Sequence, residues 1–142
     1  NYSHVIHSHL IKVFKDKLGL KKKKEKKHIT IKIKRIDDLL KQLNLKLDFL
    51  REDCTVKDFI DVLIGKLDKE IHLNIDNRNF HYLLTKIKEY FFNFTITAVA
   101  KTNKIRSKTT GKLLGEKNLR NSKVDYPSLK NEIDKIVINF QK

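Results

Sequence analysis

Between Lys101 and Lys123 the chain carries eight Lys/Arg residues and a single acid, Glu116. No long apolar run crosses this stretch. Two of the four glycines, Gly111 and Gly115, punctuate it, and the only proline, Pro127, follows it. Such a segment buries too little apolar surface to build a core of its own. It must be carried by something else, and its charge calls for a polyanion. The rest of the chain is then read as the scaffold that presents it.

That scaffold is one domain or two very small ones, because the chain has 142 residues. With 39% hydrophobic residues it is able to bury a core. The formal net charge is +15, a surface that repels itself until a polyanion neutralises it. The lysines are spread along the whole chain rather than gathered on one amphipathic helix. This favours nucleic acid over a membrane surface. No stretch approaches the roughly 18 apolar residues of a membrane span. Cys54 is the only cysteine, so neither a disulfide framework nor a thiolate metal cluster is expected. Lys, Asn and Ile are frequent while Met and Trp are absent, a bias that fits an AT-rich genome such as that of an organelle, a parasite or a virus. Asn1 is not a start methionine, so the true N-terminus is expected upstream.

Along the chain, residues 1–20 have helix-like spacing of Val5, Ile6, Leu10, Ile11, Val13 and Phe14, with Gly19 as a stop. His4, His7 and His9 lack the carboxylate or thiolate company of a zinc site, so no metal is expected. Residues 21–27, KKKKEKK, read as a linker and phosphate-binding arm. HITIKIKRI at 28–36 alternates as a strand with Ile29, Ile31 and Ile33 on its buried face. A short helix is predicted over 37–43, then a second strand through Leu45, Leu47 and Phe49. Thr55–Leu67 is the clearest helix, with Val56, Phe59, Ile60, Leu63, Ile64 and Leu67 on one stripe and a Thr55/Asp58 capping box. Gly65 near its end is attributed to close helix packing. Asn77–Tyr90 is a second amphipathic helix capped by Asp76 or Asn77, and FFNFTITAVA at 91–100 reads as a central strand. Leu129–Phe140 fits either a helix or a strand.

The fold class expected is α+β, with two or three amphipathic helices packed on a mostly antiparallel sheet and the basic loops outside. The expected division is 1–27 (N-terminal helix and Lys-rich linker), 28–54 and 55–142. TTGKLLG lacks the GxxxxGK[ST] spacing of a phosphate-cradling loop. The acidic pairs Asp37-Asp38, Glu52-Asp53 and Asp58/Asp61 read as caps and solvated helix faces, so neither an enzyme nor a cofactor is expected.

The order of motifs in the C-terminal half resembles one family, ribosomal protein S-three of the small ribosomal subunit. Its hallmark SGRLxGAEIAR is met by TGKLLGEKNLR at 110–120, and GR(V/I)PLxTLRADID by SKVDYPSLKNEID at 122–134. Upstream, VLIGKLDKE (62–70) and RNFHYLLTKI (78–87) stand where the family has two helices, with Phe80 on the family's phenylalanine. The likeness runs from about Thr55 to Ile138. It implies a structural constituent of the ribosome, bound to small-subunit ribosomal RNA in the head region near the mRNA entry side. With the composition, it implies a mitochondrial ribosome. The implied partners are that RNA, neighbouring small-subunit proteins and mRNA, with no membrane and no homo-oligomer.

The RNA-binding residues so indicated are Lys104, Arg106, Lys108, Gly111, Lys112, Gly115, Lys117, Arg120, Lys123 and Lys130. Arg78, His81, Tyr82 and Lys86 would stand on the mRNA-entry side, although His81 and Tyr82 occupy positions where the family has arginines. The resemblance makes 28–54 a degenerate KH-like part without its GxxG loop, and tips 129–138 towards a strand. The competing class is a basic DNA-binding protein of a plasmid or virus. That class needs a recognition helix with polar residues aimed at base edges, and none is evident.

Overall fold

Residues 28–141 are described in a computed structural model; the helix expected over 1–20, its three histidines and the 21–27 arm lie outside them. The fold is α+β, with elements in the order β1 (Thr30–Ile31), α1 (Ile36–Leu47), α2 (Val56–Leu63), β2 (Ile71–His72), α3 (Asn77–Ile87), β3 (Phe91–Phe92), α4 (Ile96–Lys101), β4 (Ile105–Arg106), α5 (Glu116–Asn121) and α6 (Lys130–Gln141).

Each long helix forms where an apolar stripe recurs at helical spacing. In α1 the buried side chains are Ile36, Leu39, Leu40 and Leu43, with Asp37 and Asp38 in the first turn where the helix dipole favours carboxylates. The helix runs on to Leu47, so the strand expected through Leu45 and Leu47 is corrected. Leu45 is 89% exposed on the outer face, and the chain turns only at Asp48, which takes a left-handed conformation at φ 53°. The KH likeness of 28–54 is not confirmed: β1 and α1 are followed there by a single bridge residue, Leu50, and not by a second strand.

Helix α2 starts as expected. The Thr55 hydroxyl accepts from the Asp58 N–H at 3.0 Å, and the Asp58 carboxylate accepts from the Thr55 N–H at 3.2 Å. It stops at Leu63, and Gly65 at φ +81° carries the chain away. Nothing lies within 4 Å of where a Cβ would stand, so the glycine answers to backbone conformation and not to close packing. Helix α3 is capped by Asp76, whose carboxylate accepts from the Asn79 N–H at 2.8 Å.

Two other expectations are overturned. FFNFTITAVA forms only a two-residue strand, because Asn93 turns left-handed at φ 60° and the Thr95 hydroxyl then accepts from the Ala98 N–H, opening α4. Phe91 and Phe94, three apart, are buried while Phe92 is exposed. Residues 130–141 are the helix α6, burying Ile133, Val137 and Phe140; the strand that the resemblance favoured there is not formed.

One core runs through the described residues. Helix α1 packs on α2 and α6, α3 on α6, and α4 on α5. At its centre Phe59 meets Phe49 edge-on at 5.6 Å and Phe80 at 6.2 Å. The β-structure is small and mixed, not mostly antiparallel. β1 pairs antiparallel with β3, which leaves Ile31 and Ile33 partly exposed while Ile29 is buried. β2 pairs parallel with β4. Antiparallel bridges Leu50–Leu73 and Arg106–Leu113 extend this second ladder on both sides. Four short segments thus lie side by side, ending in the start of the basic stretch.

Candidate nucleic-acid interface

The stretch expected as a free loop is folded back on β4. Ile105 and Leu114 point inward, and the Leu114 N–H donates to the Ile105 carbonyl at 2.7 Å. Between them a hairpin closes through Ser107 N–H to the Lys112 carbonyl and Gly111 N–H to the Ser107 carbonyl, both 2.9 Å. Gly111 sits at φ +70°, a conformation that side-chain-bearing residues seldom adopt. The Ser107 and Thr110 hydroxyls accept from the Thr109 and Lys112 amides at 3.2 Å, completing the turn. Gly115 then caps α5, whose only buried side chain is Leu119.

The eight cations among the ten residues expected to bind RNA divide into two groups. One group is committed to intramolecular partners. Arg106 forks onto the Glu70 carboxylate at 2.9 and 2.8 Å and donates to the Gly111 carbonyl at 2.9 Å, tying hairpin to β2. This pairing holds the Glu70 carboxyl below its usual range. Arg120 donates to Glu116 at 2.7 Å and to the Thr97 hydroxyl at 2.9 Å, locking α5 to α4. Lys104 pairs with Asp68, and Lys130 with Asp134 at 2.7 Å. The other group, Lys108, Lys112, Lys117 and Lys123, is exposed with no carboxylate partner among the described residues.

Of the four residues placed on the mRNA-entry side, only Arg78 is fully exposed. Tyr82 donates its hydroxyl to Asp134, and Lys86 pairs with the same carboxylate at 3.6 Å. With Lys130 this makes a knot joining α3 to α6. Burial alone would raise the Asp134 carboxyl, but hydrogen bonds from Lys130 and Tyr82 outweigh it and hold the group low. Two residues that the sequence reading left unassigned complete the joint. The buried Asn79 accepts from the Leu129 N–H at 2.8 Å and donates to the Ser128 hydroxyl at 3.0 Å. Nothing in the pattern of α3 marked Asn79 except its polar type on an apolar face.

His81 is 7% exposed, and burial together with the Lys123 ammonium depresses its pKa below the ordinary 6.5. The folded protein holds it neutral, while the unfolded chain takes up a proton below about pH 6.5. Its contribution to stability is complete above that value and is lost as the pH falls towards the depressed folded value. The urea midpoint is expected to fall between about pH 7 and 5.5 and to flatten over that window in His81→Phe. An unchanged acid limb in the variant removes His81 as its source.

Among the described residues no group of three or more His, Cys, Asp or Glu side chains is placed to hold a metal ion, and no helix is long and apolar enough to cross a membrane. Burial raises the Cys54 thiol above its ordinary value, which keeps it protonated and unreactive. What the surface offers chemically is positive charge on an ordered frame. No curated protein and no solved structure matches the chain. A family model described as a family of unknown function, DUF6617, matches residues 5–141, and the chain belongs to that family.

Proposed function

We propose that this is a non-catalytic RNA-binding protein that neutralises backbone phosphates with lysines held on a rigid frame. The observation that carries this reading is the division among its cations. Arg106, Arg120, Lys104 and Lys130 hold the frame together, while Lys108, Lys112, Lys117 and Lys123 face solvent without carboxylates. On a chain of net charge +15, such side chains gain most from releasing the counterions of a polyanion.

The specific form of the proposal is small-subunit ribosomal RNA in a mitochondrial ribosome, beside neighbouring small-subunit proteins. It rests on the TGKLLGEKNLR and SKVDYPSLKNEID likeness. A second reading is a basic DNA-binding protein, which needs a recognition helix with polar residues aimed at base edges. Against it, α4 has six residues, and its partly exposed positions include Ile96, Ala98 and Ala100, which offer no hydrogen bonds to base edges.

The test is the affinity for single-stranded RNA, duplex RNA and duplex DNA over a range of salt. The proposal expects RNA to be preferred, with log K falling linearly against log salt. Preference for duplex DNA favours the second reading, and salt-independent binding overturns both. Co-sedimentation with the small ribosomal subunit in high salt tests the specific form.

A further inference from the structure

Away from the hairpin, a groove of about 900 Å³ opens between the end of α2, the start of β1 and helix α4. Its apolar lining includes Ile29, Val62 and Leu63, all buried core residues. Lys66, Lys101 and Lys104 stand around it against one acid, Asp68. Lys66 and Lys101 are exposed and have no carboxylate partner among the described residues. Lys104 is held by Asp68, a side chain 84% exposed, so an incoming anion is able to take the carboxylate's place without a buried charge being left behind. Three lysines from two separate segments thus line one partly aliphatic groove.

We infer that the groove is a nucleotide subsite: it takes one nucleotide of a single RNA strand, its phosphate on Lys66 and Lys101 and its base and sugar along the aliphatic floor. Three features fit this ligand chemistry. The volume lies in the range of small-molecule sites, about 300–1,000 Å³, and is ample for one nucleotide. Two exposed ammonium groups without carboxylate partners among the described residues supply the positive charge that a phosphate needs. The Asn93 amide nitrogen donates to the His28 carbonyl at 3.1 Å and the Thr102 hydroxyl to the Val99 carbonyl at 2.7 Å, which leaves their side-chain oxygens as acceptors for a base edge or a ribose hydroxyl. Among the described residues no phenylalanine, tyrosine or tryptophan lines the groove, so these residues would hold the base by apolar contact and edge hydrogen bonds. The inference rests on the RNA-binding reading for its source of nucleotide, whereas the groove chemistry itself would serve a free nucleotide equally.

The experiment titrates AMP, adenosine and inorganic phosphate separately into the full-length isotope-labelled chain and follows amide shifts by NMR. It then adds a short single-stranded oligoribonucleotide to the AMP complex. AMP is expected to shift amides around Lys66, Asn93 and Thr102, and to bind at least tenfold more tightly than either adenosine or phosphate. The oligoribonucleotide is expected to displace it. K66A/K101A, two exposed side chains whose loss leaves the core intact, should weaken AMP binding at least tenfold. Equal binding of phosphate and AMP overturns the nucleotide assignment, as does an unchanged AMP affinity in the double variant. RNA binding that leaves the groove amides unmoved overturns the subsite while the RNA reading stands. AMP binding without any RNA binding overturns the RNA reading and makes the groove a free-nucleotide site.

Discussion

Phe59→Ala is expected to remove about 3–5 kcal/mol of folding stability, read as a lower urea midpoint at an unchanged slope. Phe59 is fully buried on α2 and is the middle ring of three, meeting Phe49 beyond the end of α1 and Phe80 on α3 in edge-to-face contacts. Truncating it empties the point at which three segments of the core meet, and neither neighbour fills the space without leaving its own rotamer. A loss of this size is a large part of the roughly 5–15 kcal/mol that holds a domain together. Phe59→Leu keeps most of the volume and should cost less; it supplies the measurement if the alanine variant does not fold. A loss below about 1 kcal/mol in the alanine variant would mean that the three rings are not the joint of the core.

The second large effect concerns binding. Replacing Lys108, Lys112, Lys117 and Lys123 together with Ala should lower the slope of log K against log salt by roughly 3 for single-stranded RNA, since each lost phosphate contact contributes about 0.7. At 0.1 M salt that corresponds to a loss of affinity of several hundredfold. All four side chains are exposed and free of carboxylates among the described residues, so the fold should be untouched. The control removes four other exposed lysines, Lys34, Lys46, Lys88 and Lys135, for the same change in net charge. If both variants lose the same slope, the protein binds through its overall charge and the hairpin and α5 have no special part. Arg106→Ala is a different kind of change: it breaks the fork to Glu70 and should loosen the hairpin as well as remove a charge.

The helices were largely legible in the sequence. Val56, Phe59, Ile60 and Leu63 announce a stripe and Thr55 with Asp58 announces its start, because cap and stripe are local signals. The short strands were not. The alternation of 45–49 and 91–100 promised strands, but two left-handed residues, Asp48 and Asn93, and the cap at Thr95 decide where the chain turns, and alternation does not reveal them. The last segment was ambiguous by pattern. Its helical form comes from packing on α1 and α3, which is tertiary information. The basic stretch was visible by composition. What no local pattern could show is that two of its eight cations have carboxylate partners far along the chain, Glu70 for Arg106 and Asp68 for Lys104. His81 likewise read as a surface group until α3 turned it inward.

The parallel pairing of β2 with β4 has a consequence for how the protein comes to be made. All of α3, β3 and α4 lie between Ile71 and Ile105, so the ladder closes only after those elements have packed, and the entropy of closing so long a loop is recovered late. The hairpin is anchored to that ladder through Arg106 and Glu70. A chain emerging from synthesis would therefore have all of α1 to α4 before it had a seat for the hairpin. Its lysines would be present from the moment they are added, yet held in no fixed arrangement. Completion of the fold and acquisition of an ordered cationic surface are, on this topology, the same event.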